Sequence, residues 1–469
     1  MAKNKEKADA KKLAQKLLID RGNGCGKMTE ETLKTADQYC EGYKAFINSV
    51  KSEREAVDFA VAQAEKAGFV PFDGSKKYAP GDKVYYNNRG KAVVLAVMGT
   101  EGCRGGVRIA ASHIDSPRLD LKPHPLYEKN DLALFKTHYY GGIKKYQWTT
   151  IPLSMHGRVI LKDGTRVDVN IGEQDGEPQF CVTDLLPHLA DDQMKKTLNK
   201  GVEGENLNIL IGSRPLRTDK GDDLVKLNVM NLLHEKYGMT EEDFVSADLE
   251  FVPAFHAVDI GFDRSMIGAY GHDDRVCAYP ALTAILNVKK PKQTVVTVLA
   301  DREEIGSYGN TGLNSEFLRY FIADLAQAEG LEARHVLSLS KCLSADVTAA
   351  FDPTYADAYE TLNANYLNAG VGVAKYTGGR GKSGTSEATA EFVAEIRSLF
   401  DKNDVLWQIG EMGKVDLGGG GTVALYIASL NVDVIDIGVP VLSMHSPFEV
   451  VSKLDIYMTY KGILSFYDA

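Results

Sequence analysis

Hydrophobic positions recur at helical spacing near the start of the chain. In the stretch SEREAVDFAVAQAEKAGF, one face carries Val57, Ala60, Val61 and Ala64, and Gly68 predicts where the helix ends. Three apolar runs of strand length follow, KVYYNN, KAVVLAVMG and GVRIAASHID. This order predicts that the first 70 residues are helical and lead into a β-sheet.

The hydrophobic pattern changes from about Thr137. Short alternating segments with Gly and Asp-Gly turns fill YYGGIKKYQW, IPLSMHGRVILKDGTRVDVNIG and QFCVTDLLPHL. Alternation with a period of two is typical of strands that bury one face. We therefore predict an inserted all-β or mixed domain here, with a loop around NKGVEGENLN.

Longer apolar elements return after Phe251. GHDDRVCAYPALTAILNV predicts a loop and then a helix, QTVVTVLAD a buried strand, LNSEFLRYFIADLAQAEG a helix, and HVLSLSKCLSADVTAAFDP begins as a further strand. Helices that alternate with almost continuously apolar strands are typical of a sheet covered on both faces. We predict one α/β domain, residues 1–120 and 253–469, interrupted by an inserted domain at residues 121–252.

The composition is that of a globular protein with an acidic balance. Of 469 residues, 44% are hydrophobic and 25% are charged, and the formal net charge is -10. An acidic chain does not attract polyanions, so we expect neither nucleic acid nor a membrane surface as a partner. The six cysteines are scattered, the first residues lack a signal-peptide pattern, and no run of about 18 apolar residues occurs. We therefore expect a cytoplasmic protein.

Candidate chemistry is concentrated where apolar strands end. Glu303 and Glu304 directly follow the run TVVTVLA, and two adjacent carboxylates repel each other unless a positive charge lies between them. In open α/β sheets, ligand sites collect at the carboxyl ends of strands. Further candidates at such places are His113 and Asp115 in SHIDSPR, Asp273 or Asp274 in GHDDR, Asp346 in SADVT and His445 in SMHSPFE.

Each candidate has an ordinary explanation when it is taken alone. A single histidine is more often a core residue than a ligand, and adjacent acids usually lie on a solvated surface. Ser446, Pro447 and Glu449 form an S-x-x-E capping box that predicts a helix start just after His445. That box explains its own three residues but leaves His445 unexplained.

Taken together, the candidates predict a co-catalytic metal centre. Two imidazoles and three or four carboxylates match a pair of zinc ions with mixed nitrogen and oxygen ligands, one carboxylate bridging the ions. One of Glu303 and Glu304 would bind metal, and its neighbour would accept a proton from the activated water. A closed structural zinc site is a weaker alternative, because such sites are usually rich in thiolates.

Seven segments carry a specific resemblance to a known family. They are SHIDSPRLDLKPHPLYE, KTHYYGGIKKYQW, IPLSMHGRV, GHDDRVCAYPAL, DREEIGS, SADVTAAFDP and LSMHSPFEV, in family order from about residue 80 to near the C-terminus. In these segments the sequence resembles the aspartyl aminopeptidase family of zinc metallopeptidases, which also includes vacuolar aminopeptidase I. The resemblance implies a zinc-aminopeptidase-type domain, a mixed sheet covered by helices on both faces, with an inserted β-rich domain that mediates dimerisation.

The resemblance also implies a role for each metal-binding candidate. It assigns two divalent ions per subunit, with zinc expected and cobalt or manganese able to occupy similar sites. Asp273 looks like the bridging carboxylate, and Asp346 looks like the acid that shares an ion with His113. Glu304 and His445 would complete the second ion.

The remaining roles are carried over from the same motifs. Glu303 looks like the general base, and Asp115 looks like the acid that orients His113. Asp274 occupies a position where relatives have Asn. His156, in SMHGRV, matches a family histidine that reaches into the active site of a neighbouring subunit, where it would stabilise an oxyanion; a plain strand histidine is the alternative.

The resemblance implies an aminopeptidase that removes an acidic or neutral N-terminal residue from peptides with a free N-terminus. It further implies self-association through the inserted domain into a tetrahedral dodecamer. The first alternative is a carboxypeptidase or an amide deacylase on the same two-metal scaffold, and the second is a non-catalytic assembly protein. The sequence does not place Lys375, Arg380, Lys382 or the loop LGGGGT in a side-chain pocket.

Overall fold

The computed structural model describes residues 2–19, 22–218 and 221–469. Within these residues, no helix combines the length and the apolar content needed to cross a membrane. The α-helices are α1 Ala2–Leu17, α2 Glu30–Ser49, α3 Glu53–Lys66, α4 Asp191–Met194, α5 Leu198–Gly201, α6 Leu224–Tyr237, α7 His272–Asn287, α8 Phe317–Ala328, α9 Ala333–Ser338, α10 Ala390–Lys402, α11 Ala424–Ala428 and α12 Lys453–Asp468.

In the part of the chain that the structure describes, the strands form three sheets. They are β1 Val70–Pro71, β2 Lys83–Asn88, β3 Ala92–Val97, β4 Arg108–His113, β5 Arg118–Lys129, β6 Leu132–Tyr140, β7 Leu153–Ile160, β8 Arg166–Ile171, β9 Cys181–Val182, β10 Ile209–Gly212, β11 Ala247–Pro253, β12 Val258–Ile260, β13 Met266–Ala269, β14 Val295–Ala300, β15 Lys341–Ala345, β16 Thr348–Ala349, β17 Val371–Ala374, β18 Trp407–Ile409, β19 Asp433–Gly438, β20 Pro440–Leu442 and β21 Glu449–Ser452.

The largest sheet is mixed and has the order β1-β2-β3-β14-β4-β15-β19-β17-β18. Its middle strands β14, β4, β15 and β19 are parallel neighbours, while β3 pairs antiparallel with β14 and β17 pairs antiparallel with β19. Parallel neighbours end at the same edge of a sheet, so the segments that follow β4, β14 and β15 are brought together there.

Helices cover both faces of this sheet because its strands are apolar on both sides. Along β3, Val93 and Leu95 pack in a core with α2, α3, α7 and α12, while Val94 and Ala96 pack in a second core with α8, α9 and α11. Helix α3 starts at a capping box between Ser52 and Glu55 and ends just before Gly68, where the sequence predicts its end.

The inserted region forms its own sheet. Seven strands with the order β8-β7-β11-β5-β6-β10-β9 come from residues between Arg118 and Pro253. A third core of aromatic and branched side chains, including Trp148 and Phe251, packs on this sheet. A further sheet of five short strands, β12-β13-β21-β20-β16, carries the turn that contains His445.

Two local predictions are wrong. The stretch HVLSLSKCLS begins in helix α9, and the strand starts at Lys341, because Val336 and Leu337 bury themselves beside α8. The polar stretch NKGVEGENLN is not a plain loop, since it contains the short helix α5 and a 3₁₀ turn at Gly204–Asn206.

Candidate metal centre

Three strand ends and two more distant segments build the site. His113 is the last residue of β4, Asp346 follows β15, and Glu303 and Glu304 follow β14 after a short turn. Asp273 comes from the start of α7. His445 lies in the turn between β20 and β21 and has a left-handed backbone conformation (φ 63°).

Asp273 lies between the two imidazoles. Its Oδ1 is 3.2 Å from Nε2 of His113, and its Oδ2 is 3.1 Å from Nε2 of His445. The other carboxylates divide between the two rings. Oδ1 of Asp346 is 3.8 Å and Oε2 of Glu303 is 3.9 Å from Nε2 of His113, and Oε1 of Glu304 is 3.5 Å from Nε2 of His445.

Each imidazole is oriented by a backbone carbonyl. Nδ1–H of His113 donates to the carbonyl of Asp115 (3.0 Å), and Nδ1–H of His445 donates to the carbonyl of Gly142 (2.6 Å). These hydrogen bonds leave Nε2 of both rings facing Asp273. Imidazole ligands of metals are oriented in this way in proteins.

Asp115 supports the acidic turn after β14. Its Oδ1 accepts the backbone N–H of Glu303 and its Oδ2 accepts that of Glu304, each at 3.2 Å. Oδ2 also accepts the hydroxyl of Tyr140 at 2.8 Å, and Asp115 itself is fully buried. The adjacent carboxylates are therefore held in place by a third carboxylate behind them.

Burial and neighbouring charges shift the pKa values of the acids in the cluster. Burial, together with the charges of Asp115 and Asp273, raises the pKa of Glu303 to about 7. Burial and Asp273 hold the pKa of Glu304 well above its usual range, and burial has the same effect on Asp346. Burial lowers the pKa of His445, but its hydrogen bond to Asp273 and the negative charges of Glu304 and Asp273 together outweigh burial and raise the pKa to about 10. The site carries more negative charge than its own imidazoles neutralise.

The donor set fits a divalent cation. Three overlapping groups each place their ligand atoms within 4.8 Å of one another: His113 with Asp273 and Asp346, His113 with Glu303 and Glu304, and Asp273 with Glu304 and His445. Oε1 of Glu304 is buried without a hydrogen-bond partner, which is costly unless a cation satisfies it. Mixed imidazole and carboxylate ligands suit zinc and similar ions.

Comparisons with known proteins agree with this chemistry. The chain matches the family described as aminopeptidase I zinc metalloprotease (M18) over residues 46–467. A relative from Clostridium acetobutylicum, named a probable M18 family aminopeptidase 1, is 48% identical over 458 residues, which cover 96% of this chain and 98% of the relative. This chain belongs to the aminopeptidase I zinc metalloprotease family.

Solved structures of family members have the same fold as this aminopeptidase. Aminopeptidase I from Clostridium acetobutylicum superposes with a TM-score of 0.91 at 45% identity, covering 97% of this chain and 100% of the other. An M18 family aminopeptidase from Thermotoga maritima gives 0.92 at 41% identity, covering 96% and 100%. The predicted family, α/β fold class and zinc-dependent aminopeptidase activity are confirmed, and nothing in these comparisons supports the carboxypeptidase, deacylase or assembly-protein alternatives.

Glu449 of this aminopeptidase is a site residue that the sequence analysis explained wrongly. It does not cap a helix, because residues Glu449–Ser452 form strand β21 and helix α12 begins only at Lys453. Its carboxylate instead accepts the backbone N–H of His445 (2.7 Å) and of Asp273 (3.1 Å). Burial and Asp273 raise the pKa of Glu449 to about 8. The sequence signal that could have indicated this role is an acid, Glu449, four residues after the candidate ligand His445.

Asp274 and His156 lie apart from the ligand atoms. Oδ2 of Asp274 accepts the backbone N–H of His113, so this carboxyl supports the end of β4. The ring of His156 is fully buried within its own chain, where Nδ1 contacts Glu55 and Nε2 contacts Ser154 and Glu173. The predicted role of His156 in a neighbouring subunit stays a prediction.

A cavity of about 320 Å³ adjoins Asp346. Arg380 and Lys382 line it, as do the glycines at 418–420, while Lys375 follows β17 directly and its carbonyl accepts the N–H of Ala388. Lys382 lies 3.7 Å from the ring centre of Tyr376 and pairs with Glu387 at 3.0 Å. Apolar side chains in the lining are Val347, Val373, Met412, Val415 and Ile437.

Proposed function

We propose that this aminopeptidase holds two divalent cations and removes the N-terminal residue of a peptide by attack of water. His113 and Asp346 would hold one ion, Glu304 and His445 the other, and Asp273 would be shared. The observation that carries this proposal is the position of Asp273, whose two oxygens face two inward-directed imidazoles at 3.2 and 3.1 Å. Zinc is the ion that the family description names, and cobalt and manganese suit similar donor sets.

The bound cations would supply Lewis acidity toward the scissile carbonyl and a lowered pKa for the attacking water. Glu303 supplies the proton transfer. Its Oε2 is not needed to orient either ring, and its side chain is 18% exposed, so it can reach substrate. A carboxylate with a raised pKa accepts a proton from the water as it attacks and then delivers that proton to the leaving amine nitrogen.

Chromogenic amides test this proposal and distinguish it from the alternatives. We expect hydrolysis of unblocked leucyl p-nitroanilide by the zinc-loaded protein, and loss of that activity after chelation with recovery on adding zinc. The N-acetylated form of the same amide is the control, because an aminopeptidase requires a free α-amino group. Release of acetate from this control would instead indicate a deacylase, and release of p-nitroaniline from it at an equal rate would show that a free α-amino group is not required.

We propose that the cavity beside Asp346 receives the side chain of the N-terminal residue and favours a neutral, apolar one. Its apolar lining suits a leucine-like group. Asp436 also lines the cavity; it is buried and accepts the hydroxyl of Thr422 at 2.7 Å. Burial raises the pKa of Asp436 to about 6, so most molecules carry this negative charge at neutral pH. The lining thus holds the carboxylates of Asp346 and Asp436 as well as cations, of which Lys382 is already paired with Glu387.

We expect kcat/KM for leucyl p-nitroanilide to exceed that for the aspartyl amide by about tenfold or more, because the apolar lining favours an apolar side chain and like-charge contact with Asp436 costs about 1 kcal/mol or more. The variant Asp436→Asn should reduce the ratio of the leucyl to the aspartyl kcat/KM, mainly by raising kcat/KM for the aspartyl amide. Asp433→Asn, on the same strand but exposed, is the matched control and should leave the ratio unchanged. A wild-type preference for aspartyl substrate would contradict the proposed cavity chemistry.

We further propose that the chain divides at residues 1–120, 121–252 and 253–469, and that the middle part mediates self-association into a tetrahedral dodecamer. A more distant structural neighbour, 19% identical with a TM-score of 0.75, is described as a dodecamer. Five apolar side chains within residues 185–198 of this chain are more than half exposed: Leu185, Leu186, Leu189, Met194 and Leu198. A concentration of exposed apolar groups is typical of an interface.

The free cysteines support a reducing, cytoplasmic location.

The variant Leu189→Asp is expected to shift the protein to smaller species, because a charge placed in an apolar interface is desolvated without a partner. Sedimentation velocity at micromolar concentration measures the species present. Leu339→Asp is the matched control. Leu339 is 55% exposed, but it directly follows α9 and lies outside residues 121–252. If both variants sediment like the wild type, the 185–198 segment is not an interface.

A further inference from the structure

Residues 140–142 connect the seven-stranded sheet to the metal centre. Tyr140 ends strand β6, and its hydroxyl donates to Oδ2 of Asp115 at 2.8 Å. The same carboxylate accepts the two backbone N–H groups of the Glu303–Glu304 turn, and its Oδ1 lies 3.3 Å from Nδ1 of His113. Tyr140 therefore adds a side-chain donor from another sheet to the acid that positions His113 and both glutamates.

The ring of Tyr140 is itself held in place. The guanidinium carbon of Arg118 lies 4.0 Å from its ring centre, close enough for a cation–π contact. Arg118 is buried and pairs with Glu53 at 3.0 Å and with Glu250 at 2.8 Å. This fixed stack directs the phenol hydroxyl at Asp115.

The next two residues contact the other half of the cluster. Gly141 has a φ of 75°, and a Cβ there would lie 3.1 Å from Oε2 of Glu304. The carbonyl of Gly142 accepts Nδ1–H of His445 at 2.6 Å, and a Cβ on Gly142 would lie 3.4 Å from that nitrogen. Glycine at both positions allows the backbone to approach the acid and the imidazole directly.

We propose that segment 140–142 is a positioning element that sets the metal affinity of the site from the seven-stranded sheet. This inference rests on the proposed metal centre. Tyr140 acts through Asp115 on His113, and Gly142 acts directly on His445, so one three-residue segment orients both imidazoles. Partners that orient metal ligands typically change metal affinity by about 10- to 100-fold when they are removed.

The test compares Tyr140→Phe with Tyr139→Phe in the full-length protein. Each variant loses one hydroxyl from strand β6, but Tyr139 is 39% exposed. Zinc affinity is measured by chelator competition, and the visible spectrum of bound Co²⁺ reports ligand geometry. We expect Tyr140→Phe to bind zinc about tenfold more weakly and to change the cobalt spectrum, with Tyr139→Phe like the wild type. Equal affinities for Tyr140→Phe and wild type, or equal losses in both variants, would overturn the proposal.

Thermal unfolding separates positioning from a general loss of stability. A metal that binds the folded state raises Tm according to its affinity, so the metal-induced rise should shrink in Tyr140→Phe. A lower Tm without metal combined with an unchanged metal-induced rise would assign Tyr140 a merely structural role.

Gly142→Ala decides the matter if Tyr140→Phe does not fold. Its added methyl group would meet only the ring of His445 within 4 Å, so folding is expected. We expect zinc affinity about threefold or more weaker, and unchanged affinity would overturn the proposal. Because the readout is metal binding, a failure here is distinct from a failure of the proposed function, which would appear as an inactive zinc-loaded wild type.

Discussion

Replacing Glu303 by glutamine is expected to lower kcat by about 10³-fold while the metal content stays that of the wild type. Glutamine keeps the shape of the side chain but cannot accept a proton, and general bases typically contribute about 10²–10⁴-fold to a rate. The pKa of Glu303 is raised to about 7, and a group with such a pKa exchanges a proton readily near neutral pH. Steady-state kinetics on leucyl p-nitroanilide, with zinc counted by elemental analysis, measure both effects.

Glu304→Gln provides the matched contrast, since it changes the adjacent residue in the same way. Oε1 of Glu304 is buried without a partner and lies 3.5 Å from Nε2 of His445, so this variant should lose zinc together with activity. If Glu303→Gln loses zinc and Glu304→Gln keeps it, the two roles are reversed. Turnover near the wild-type level in Glu303→Gln would exclude it as the base.

Asp273→Asn is expected to weaken zinc binding by about 100-fold or more and to abolish measurable hydrolysis. Each carboxylate oxygen faces a different imidazole, so the amide replaces one oxygen by an NH₂ group that cannot bind a cation. Loss of a shared ligand should exceed the effect of removing an orienting partner, for which about 10- to 100-fold is typical. Zinc competition titration and the rate at saturating zinc are the measurements.

Asp274→Asn is the matched control in the neighbouring residue. Burial holds the pKa of Asp274 well above its usual range, which favours the neutral form that an amide resembles. The amide oxygen of asparagine can still accept the backbone N–H of His113. We expect zinc affinity within about threefold of the wild type. If Asp273→Asn and Asp274→Asn lose zinc affinity equally, then the negative charge near the site, and not the position of Asp273 between the two imidazoles, determines zinc binding.

The candidate ligands could be predicted because their signals are local in the sequence. Apolar runs such as TVVTVLA must be buried strands, and acids or histidines at their ends must lie at one edge of a parallel sheet. The structure brings His113, Glu303, Glu304 and Asp346 together at that edge, with Asp273 and His445 beside them. Their assigned roles stay predictions until metal and activity are measured.

The errors have a common physical cause. The S-x-x-E pattern before residue 450 satisfies the rule for a capping box, but two buried backbone N–H groups, on His445 and Asp273, attract the carboxylate of Glu449 instead. In the same way, Val336 and Leu337 form a helix because that helix packs against α8, although their own pattern suits a strand. Tertiary contacts outweigh local preferences that differ by about 1 kcal/mol.

By itself the sequence determined the layered α/β fold, the inserted β-rich region and the residue types that gather at the strand ends, because periodicity and strand termini are properties of short segments. Only the tertiary structure decided which groups hold those residues in position. Tyr140, Gly142 and Glu449 contact Asp115, His445 and Asp273 from other parts of the fold, and Glu449 and Asp273 are separated by 176 residues of chain. Such hydrogen bonds form when separate sheets pack together, so no short stretch of sequence encodes them.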